Sequence, residues 1–289
     1  MKRLMVCVLT SIAALGAGAP GDVDDATRTA LLKECSAATT KILKVYEQIK
    51  LECKETKVGG VEEPWTYARD GKSTRWMTVD PKSGKSYALV ADPTLSFKLH
   101  RDSAAEQYSV TRRSVAQRRS DETSIEVRSL PAFAPYRAYL ECPAATFLAD
   151  PNCSILEIVV IGQAPNRIVR VDWEMNPTTP QGKVRFGTFE FLPDSAWLLK
   201  SYSIYFRGGY KDEATGQFFD TGRGAELTYE GQCDGIPLVH KVATWTSAKE
   251  RAEGPAYEVT KIVSGPVPRA EFTLESFGDV ITPPPHEHR

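Results

Sequence analysis

Leu95, Phe97 and Leu99 alternate with Ser96, Lys98 and His100. That two-residue period is the pattern of a strand with one apolar and one wet face. Similar short runs fill most of the chain. EPWTYARDGKSTRWMTV carries Asp70-Gly71 between two of them, a strong hairpin signal. Ser83-Gly84 and Asp92-Pro93 break the runs that follow. EQYSVTRR, SILEIVVIG, RIVRVDW, GKVRFGTFEF, WLLKSYSIYF, GAELTYE, LVHKVATW and AYEVTKIV continue the series. In KVRFGTFEF the apolar phase changes at Gly187, from Val184 and Phe186 to Phe189 and Phe191. A glycine at such a change predicts a β-bulge or a sharp bend.

One segment has a different period. In DDATRTALLKECSAATTKILKVYEQ, Leu31, Cys35, Ala38, Ile42 and Val45 are spaced 4-3-4-3 behind Asp24 or Asp25 as the cap. This is an amphipathic helix with one apolar stripe. The phase switches at once to Ile49, Leu51 and Cys53, so the helix runs into the first strand with almost no loop. FAPYRAYLECPAATFLAD predicts a helical insert, split into two short pieces by Pro143. The glycine-rich stretch YFRGGYKDEATGQFFDTGRG predicts a long hairpin loop with exposed Tyr210, Phe218 and Phe219.

A leading helix followed by hairpin-linked strands defines an α+β protein. It is expected to hold a large, curved, antiparallel sheet. The N-terminal helix and the central insert pack on the concave face. A helix about 10–12 Å wide shields two or three strands spaced about 4.8 Å apart. Apolar concave wall is left over. Three faces are the candidate lining: Leu95, Phe97 and Leu99; Val169, Val171 and Trp173; and Trp76 with Thr78. Taken one residue at a time, ordinary core packing already explains each of them and is the favoured account. The cavity follows from the architecture.

The ends add a compartment. Lys2 and Arg3, the apolar run Leu4 to Leu15 and the small residues Ala17 and Ala19 have the grammar of a secretory signal peptide over residues 1–19. Residues 20–282 then form a single domain, and 283–289, with three consecutive prolines, a disordered tail. No later run reaches the roughly 18 apolar residues of a membrane span. The protein is expected in the periplasm or outside the cell, as a monomer. Its 36 Lys+Arg against 37 Asp+Glu argue against a nucleic-acid partner.

Export also changes the cysteines. Cys7 falls in the leader, which leaves Cys35, Cys53, Cys142, Cys153 and Cys233, an odd number. Cys142 and Cys153 flank a short loop and are the candidate disulfide in an oxidising compartment. Cys35 and Cys53 sit on faces that look buried and read as small core residues.

Motifs for chemistry are weak. VTRRSVAQRRSDE groups Arg112, Arg113, Arg118 and Arg119, but Asp121 and Glu122 beside them favour a solvated loop or edge over an anion site. PKSGKS lacks the first glycine of a P-loop, because position 79 is Val79. Of the four histidines, His286 and His288 lie in the tail and His100 and His240 on strands, with no G-x-S-x-G. Asp172 and Glu174 share a strand face as a glycosidase pair would, though a solvated face also explains them. No catalytic residue, metal site or cofactor is expected.

The order of motifs resembles a known fold family. It comprises the helix running into a strand, ALVADPTLSFKLHRD, TFLADPNCSILEIVVIG followed by RIVRVDWEMN, VRFGTFEFLPDSAWLLKSYSIYF, LTYEGQCDGIPLVHKVATW and EFTLESFG. Together they resemble secreted bacterial proteins similar to the periplasmic lipoprotein carrier LolA and its relatives. The resemblance implies an open half-barrel closed over by helices, with an apolar cavity between. In the carrier that cavity shelters lipoprotein acyl chains; related domains bind other lipids or sense misassembled envelope proteins. No residue here matches the carrier's latch between lid and barrel. The implied role is an exported, non-enzymatic binding protein for a lipid or lipoprotein acyl chain. The alternative is an interaction or sensing module on the same scaffold with a filled core.

Overall fold

The structure, a computed structural model, describes residues 24–114, 118–138, 142–177, 182–248, 250–278 and 280–281. The leader and the tail expected at 1–19 and 283–289 lie outside the described residues.

Helix α1 (Asp25–Tyr46) leads after a single residue into β1 (Gln48–Thr56). A meander follows: β2 (Glu62–Asp70), β3 (Ser73–Val79), β4 (Ser86–Asp92), β5 (Leu95–Arg101) and β6 (Tyr108–Ser114). Then come α2 (Arg118–Arg128), a 3₁₀ turn at Leu130–Ala132 and α3 (Ala144–Leu148). A second meander runs through β7 (Cys153–Ile161), β8 (Ile168–Met175), β9 (Arg185–Leu192), β10 (Leu198–Lys211), β11 (Phe218–Cys233), β12 (Ile236–Ser247) and β13 (Arg251–Ser264). Two 3₁₀ turns, Arg269–Phe272 and Leu274–Phe277, precede the short β14 (Val280–Ile281).

The fourteen strands among the described residues belong to one sheet, in the order β14-β6-β5-β4-β3-β2-β1-β13-β12-β11-β10-β9-β8-β7. The order does not close, so the expected large, open antiparallel sheet is present; β14 pairs with β6 in parallel. Two meanders are thus joined through the pairing of β1 with β13.

The chain divides into two compact units. One comprises residues up to 42, 134–228 and 243–254; the other comprises 43–133, 229–242 and 255 onward.

The α1 stripe forms as the spacing predicts: Leu31, Cys35, Ala38, Ile42 and Val45 are all buried. Asp24 is the cap, accepting bonds from the Thr27 amide (2.9 Å) and hydroxyl (2.7 Å). Those bonds hold its carboxyl below the ordinary value. Past its end, Tyr46 accepts the Val239 amide at 2.9 Å and donates to the Pro237 carbonyl at 3.3 Å.

Within the second unit, register decides the faces. Leu51, Tyr67, Trp76, Leu89 and Lys98 stand opposite one another across β1 to β5 and share one face. Lys50, Ala68, Arg75, Val90 and Phe97 share the other. Both are covered. On the first, α2 lays Arg128 over the Trp76 ring at 4.9 Å, and Asp121 pairs with Arg112 and with Lys98 (3.7 Å). Phe133 meets Tyr67 edge-on at 5.9 Å. On the second, Val267, Phe272 and Phe277 close over Val90, Phe97, Leu99, Tyr108 and Val110. Glu271 fastens that cover to Lys50 and to Arg75 (2.9 Å).

Three local expectations need correction. The run RRSDETSIEVR, expected as a solvated loop or edge, is helix α2. It is held by fully buried Ile125 and by Asp121, which is 1% exposed. The glycine-rich stretch is mostly strand: β10 reaches Lys211, β11 starts at Phe218, and only 212–217 form the tip. Gly187 makes no bulge, for it pairs in unbroken register with Trp173 on β8 and Ile204 on β10. It is glycine because a Cβ there would lie 2.0 Å from the Ser203 carbonyl oxygen. Phe186 therefore turns to the face opposite Phe189, as the two-residue period of a strand requires.

Candidate functional site

Within the second unit, register divides the candidate lining residues between the two faces of the sheet. Trp76 lies under α2 on the first face of the second unit. Leu95, Phe97 and Leu99 lie on its opposite face, packed with Val267, Phe272 and Phe277. They cannot line one concavity with Trp76, because adjacent residues of a strand point to opposite sides. The wet side of β5 is itself covered, since Ser96 is fully buried.

In the first unit, Val169, Val171 and Trp173 stand opposite Phe191, Phe189 and Gly187. Phe147 of α3 meets Trp173 at 4.6 Å and Phe189 at 5.5 Å, both edge-on. Arg185 lies over the Phe147 ring at 5.4 Å. The helical insert thus seats one aromatic ring on this wall.

The Trp76 wall carries polar atoms that the apolar pattern does not announce. Trp65 and Tyr67 share this face on β2, and Thr74 and Trp76 on β3. The indole N–H groups of Trp65 and Trp76 and the hydroxyl of Thr74 are buried and have no hydrogen-bond partner. A buried donor left unpaired costs about 1–3 kcal/mol, so a wall with three of them is suited to receive acceptors. Glu55, on the same face of β1, has its carboxyl raised by burial, against the opposing charge of Lys57.

The far side of β8 to β10 is different in kind. Leu156, Asp172, Glu174, Phe186, Thr188, Ser203, Tyr205 and Arg207 line an open groove of about 370 Å³. Asp172 accepts the Thr188 hydroxyl at 2.8 Å and pairs with Arg170 at 3.2 Å. Glu174 pairs with Arg207 at 2.7 Å. Phe186 and Tyr205 stack with centroids 5.3 Å apart and planes 17° from parallel. Sequence reasoning found Asp172 and Glu174 but missed the rest. The signal was available: Phe186 is out of phase with Phe189, so it belongs with the acids.

The other candidates resolve simply. Arg112 is engaged by Asp121, and Arg113 stands beside Glu275, whose carboxyl is held low chiefly by the Thr273 side chain. The Arg118 side chain lies outside the described residues, as do His286 and His288. His100 faces Asp102 at 3.4 Å and His240 faces Glu230 at 3.5 Å. Cys35 and Cys53 are buried, and burial pushes their thiols well above the ordinary value. Cys153 is buried with its thiol pushed up to about 11, mainly by burial; Cys142 is exposed. Among the described residues no group of three or more His, Cys, Asp or Glu is placed to hold a metal. No described helix is long and apolar enough to cross a membrane.

No family model matches the chain. None of the curated proteins matches it either. The fold is similar to that of solved structures. One is a LolA superfamily protein from Nitrosomonas europaea, with a TM-score of 0.41 and 12% identity, covering 83% of this chain and 98% of that one. Another is a DUF1329 family protein from Desulfovibrio piger, with a TM-score of 0.43 and 12% identity, covering 86% and 98% respectively.

Proposed function

We propose that the protein is an exported, non-enzymatic binding protein that holds an apolar or acylated ligand against the wall of Trp65, Tyr67 and Trp76. One observation carries the reading: buried, unpartnered indole N–H groups in a wall of aromatic rings. A core filled only by its own side chains gains nothing from donors without acceptors. An acylated amphiphile supplies both missing parts, hydrocarbon for the rings and ester or amide carbonyls for the N–H groups. Each buried CH₂ contributes about 0.8 kcal/mol, so few polar contacts are needed. Helix α2, held down by the Asp121 ion pairs and by Arg128, is the cover that such a ligand would displace.

Native mass spectrometry of delipidated protein with palmitic acid, phosphatidylethanolamine and a triacylated lipopeptide tests this. A stoichiometric adduct is expected. Trp76→Phe should weaken it about five-fold, the value of one hydrogen bond near 1 kcal/mol. No adduct with any of the three would overturn the reading.

A second reading, an interaction or sensing module with a filled core, draws on the sealing of Phe97 and Leu99 by the C-terminal segment and of Trp173 by Phe147. Recovery of a stable protein partner from an envelope extract, together with failure of the lipid panel, would favour it. The Cys142–Cys153 disulfide stays part of the proposal for an oxidising compartment. Peptide mapping with and without reductant tests it.

A further inference from the structure

We propose that the groove on the far side of β8 to β10 is a binding site for a neutral saccharide, independent of the acyl reading. Three properties define the ligand. First, both acids of the groove are already engaged: Glu174 by Arg207, and Asp172 by Arg170, which it shares with Glu157. Arg207 is committed to Glu174, so the groove offers little to a free anion.

Second, its polar groups are arranged to exchange hydrogen bonds with hydroxyls. Glu174 is held through one carboxylate oxygen, Oε2, which leaves Oε1 to accept. Ser203 Oγ accepts the Thr188 amide at 3.1 Å, so its own proton is free to donate. Tyr205, which also lines the groove, carries a hydroxyl that can donate and accept.

Third, the floor is aromatic: beside the Tyr205–Phe186 pair lie Trp245, 5.7 Å from Tyr205, and Arg207, over the Phe186 ring at 5.5 Å. Tyr205 stacks with Phe186 and rests on β11 where Gly222 has no side chain; a Cβ there would come within 2.4 Å of its Cδ1. An aromatic ring receives the C–H face of a pyranose as it does other apolar surface. Carboxylates, hydroxyls and a stacked ring pair answer the two faces of a sugar, its apolar C–H surface and its equatorial hydroxyls. The volume of about 370 Å³ is at the small end of ligand pockets, about 300–1,000 Å³. It suits a short saccharide on an open surface.

The test is calorimetric titration of the full-length protein with maltotriose, cellotriose and triacetylchitotriose, alongside inorganic phosphate, calcium chloride and palmitic acid. Binding of at least one trisaccharide is expected, with affinity lowered ten-fold or more by Tyr205→Ala and several-fold by Glu174→Gln. Phe218→Ala, at the exposed first residue of β11, should leave it unchanged. Glu174→Gln keeps the side chain's shape and removes only its charge and the exposed ion pair with Arg207, so it decides the matter if Tyr205→Ala melts early. No heat with any trisaccharide, binding insensitive to both groove variants, binding of phosphate or calcium alone, or displacement of the sugar by palmitic acid would each overturn the proposal. None of these outcomes bears on the Trp76 wall, whose own lipid panel is read separately.

Discussion

Asp121 shows how one side chain holds an element in place. It is buried, and both its cationic partners, Arg112 and Lys98, project from the sheet beneath α2. Removing one member of a buried ion pair leaves uncompensated charge and costs about 3–5 kcal/mol. Asp121→Ala should lower the urea midpoint accordingly, and an unchanged midpoint would show that α2 is held by its apolar contacts alone. Two other carboxyls set opposite pH responses. Burial pulls Asp92 upward more than any other single influence. Hydrogen bonds from Thr94 and Ser73 outweigh it and hold the group below its ordinary 3.8. That stabilisation is complete above 3.8 and is lost as pH falls through the lower folded value. Glu55 is held above 4.5, chiefly by burial, so its contribution falls as pH rises from 4.5 through the folded value. Asp92→Asn should therefore lose stability at neutral pH and flatten the acid limb, whereas Glu55→Gln should gain it. Urea midpoints measured from acid to neutral pH distinguish the two.

Among the elements, β9 depends on a missing side chain. Gly187→Ala would drive a methyl into the Ser203 carbonyl, a backbone atom that cannot rotate away. Overpacking of this kind costs about 1–3 kcal/mol, and a chemical melt should show the upper part of that range. Wild-type stability in the variant would mean that β9 and β10 separate readily. The same element shows what periodicity could and could not convey. The alternation in β5, the 4-3-4-3 stripe of α1 and the hairpin breaks were legible because burial on one side imposes a period. Helix α2 was not, because its hold on the sheet rests on Ile125 and a buried acid, and a lone carboxylate in a charged run looks like solvent-facing surface. The length of the β10–β11 hairpin was hidden for a related reason. Gly209, Gly222 and Gly224 read as loop, yet each makes room for a neighbouring side chain, Thr221, Tyr205 and Trp245 respectively.

At the scale of the whole molecule, the main departure from expectation is that β2 to β6 are covered twice. The candidate lining was inferred as though one side of the sheet met solvent, and no periodic signal links EFTLESFG to LSFKLH across the intervening chain. Only the folded arrangement brings Phe277 within 6.1 Å of Phe97 and 5.4 Å of Tyr108. A chain ending at Gly265 should expose Phe97, Leu99 and Val110, bind a hydrophobic dye and melt earlier than the full-length protein. Glu271→Gln, which weakens the clasp on Lys50 and Arg75, should shift the melt the same way by less. Full-length behaviour from the truncated chain would show that the cover is dispensable.

The seam between β1 and β13 has a temporal meaning. A ribosome completes the first meander long before it makes the strand that Ile49 to Thr56 must pair with. Until then β1 presents a row of unsatisfied amides and carbonyls, the kind of template that recruits stray chains. A nascent chain of this design gains from being kept extended until its last quarter has emerged, and refolding from denaturant should slow and clump as concentration rises.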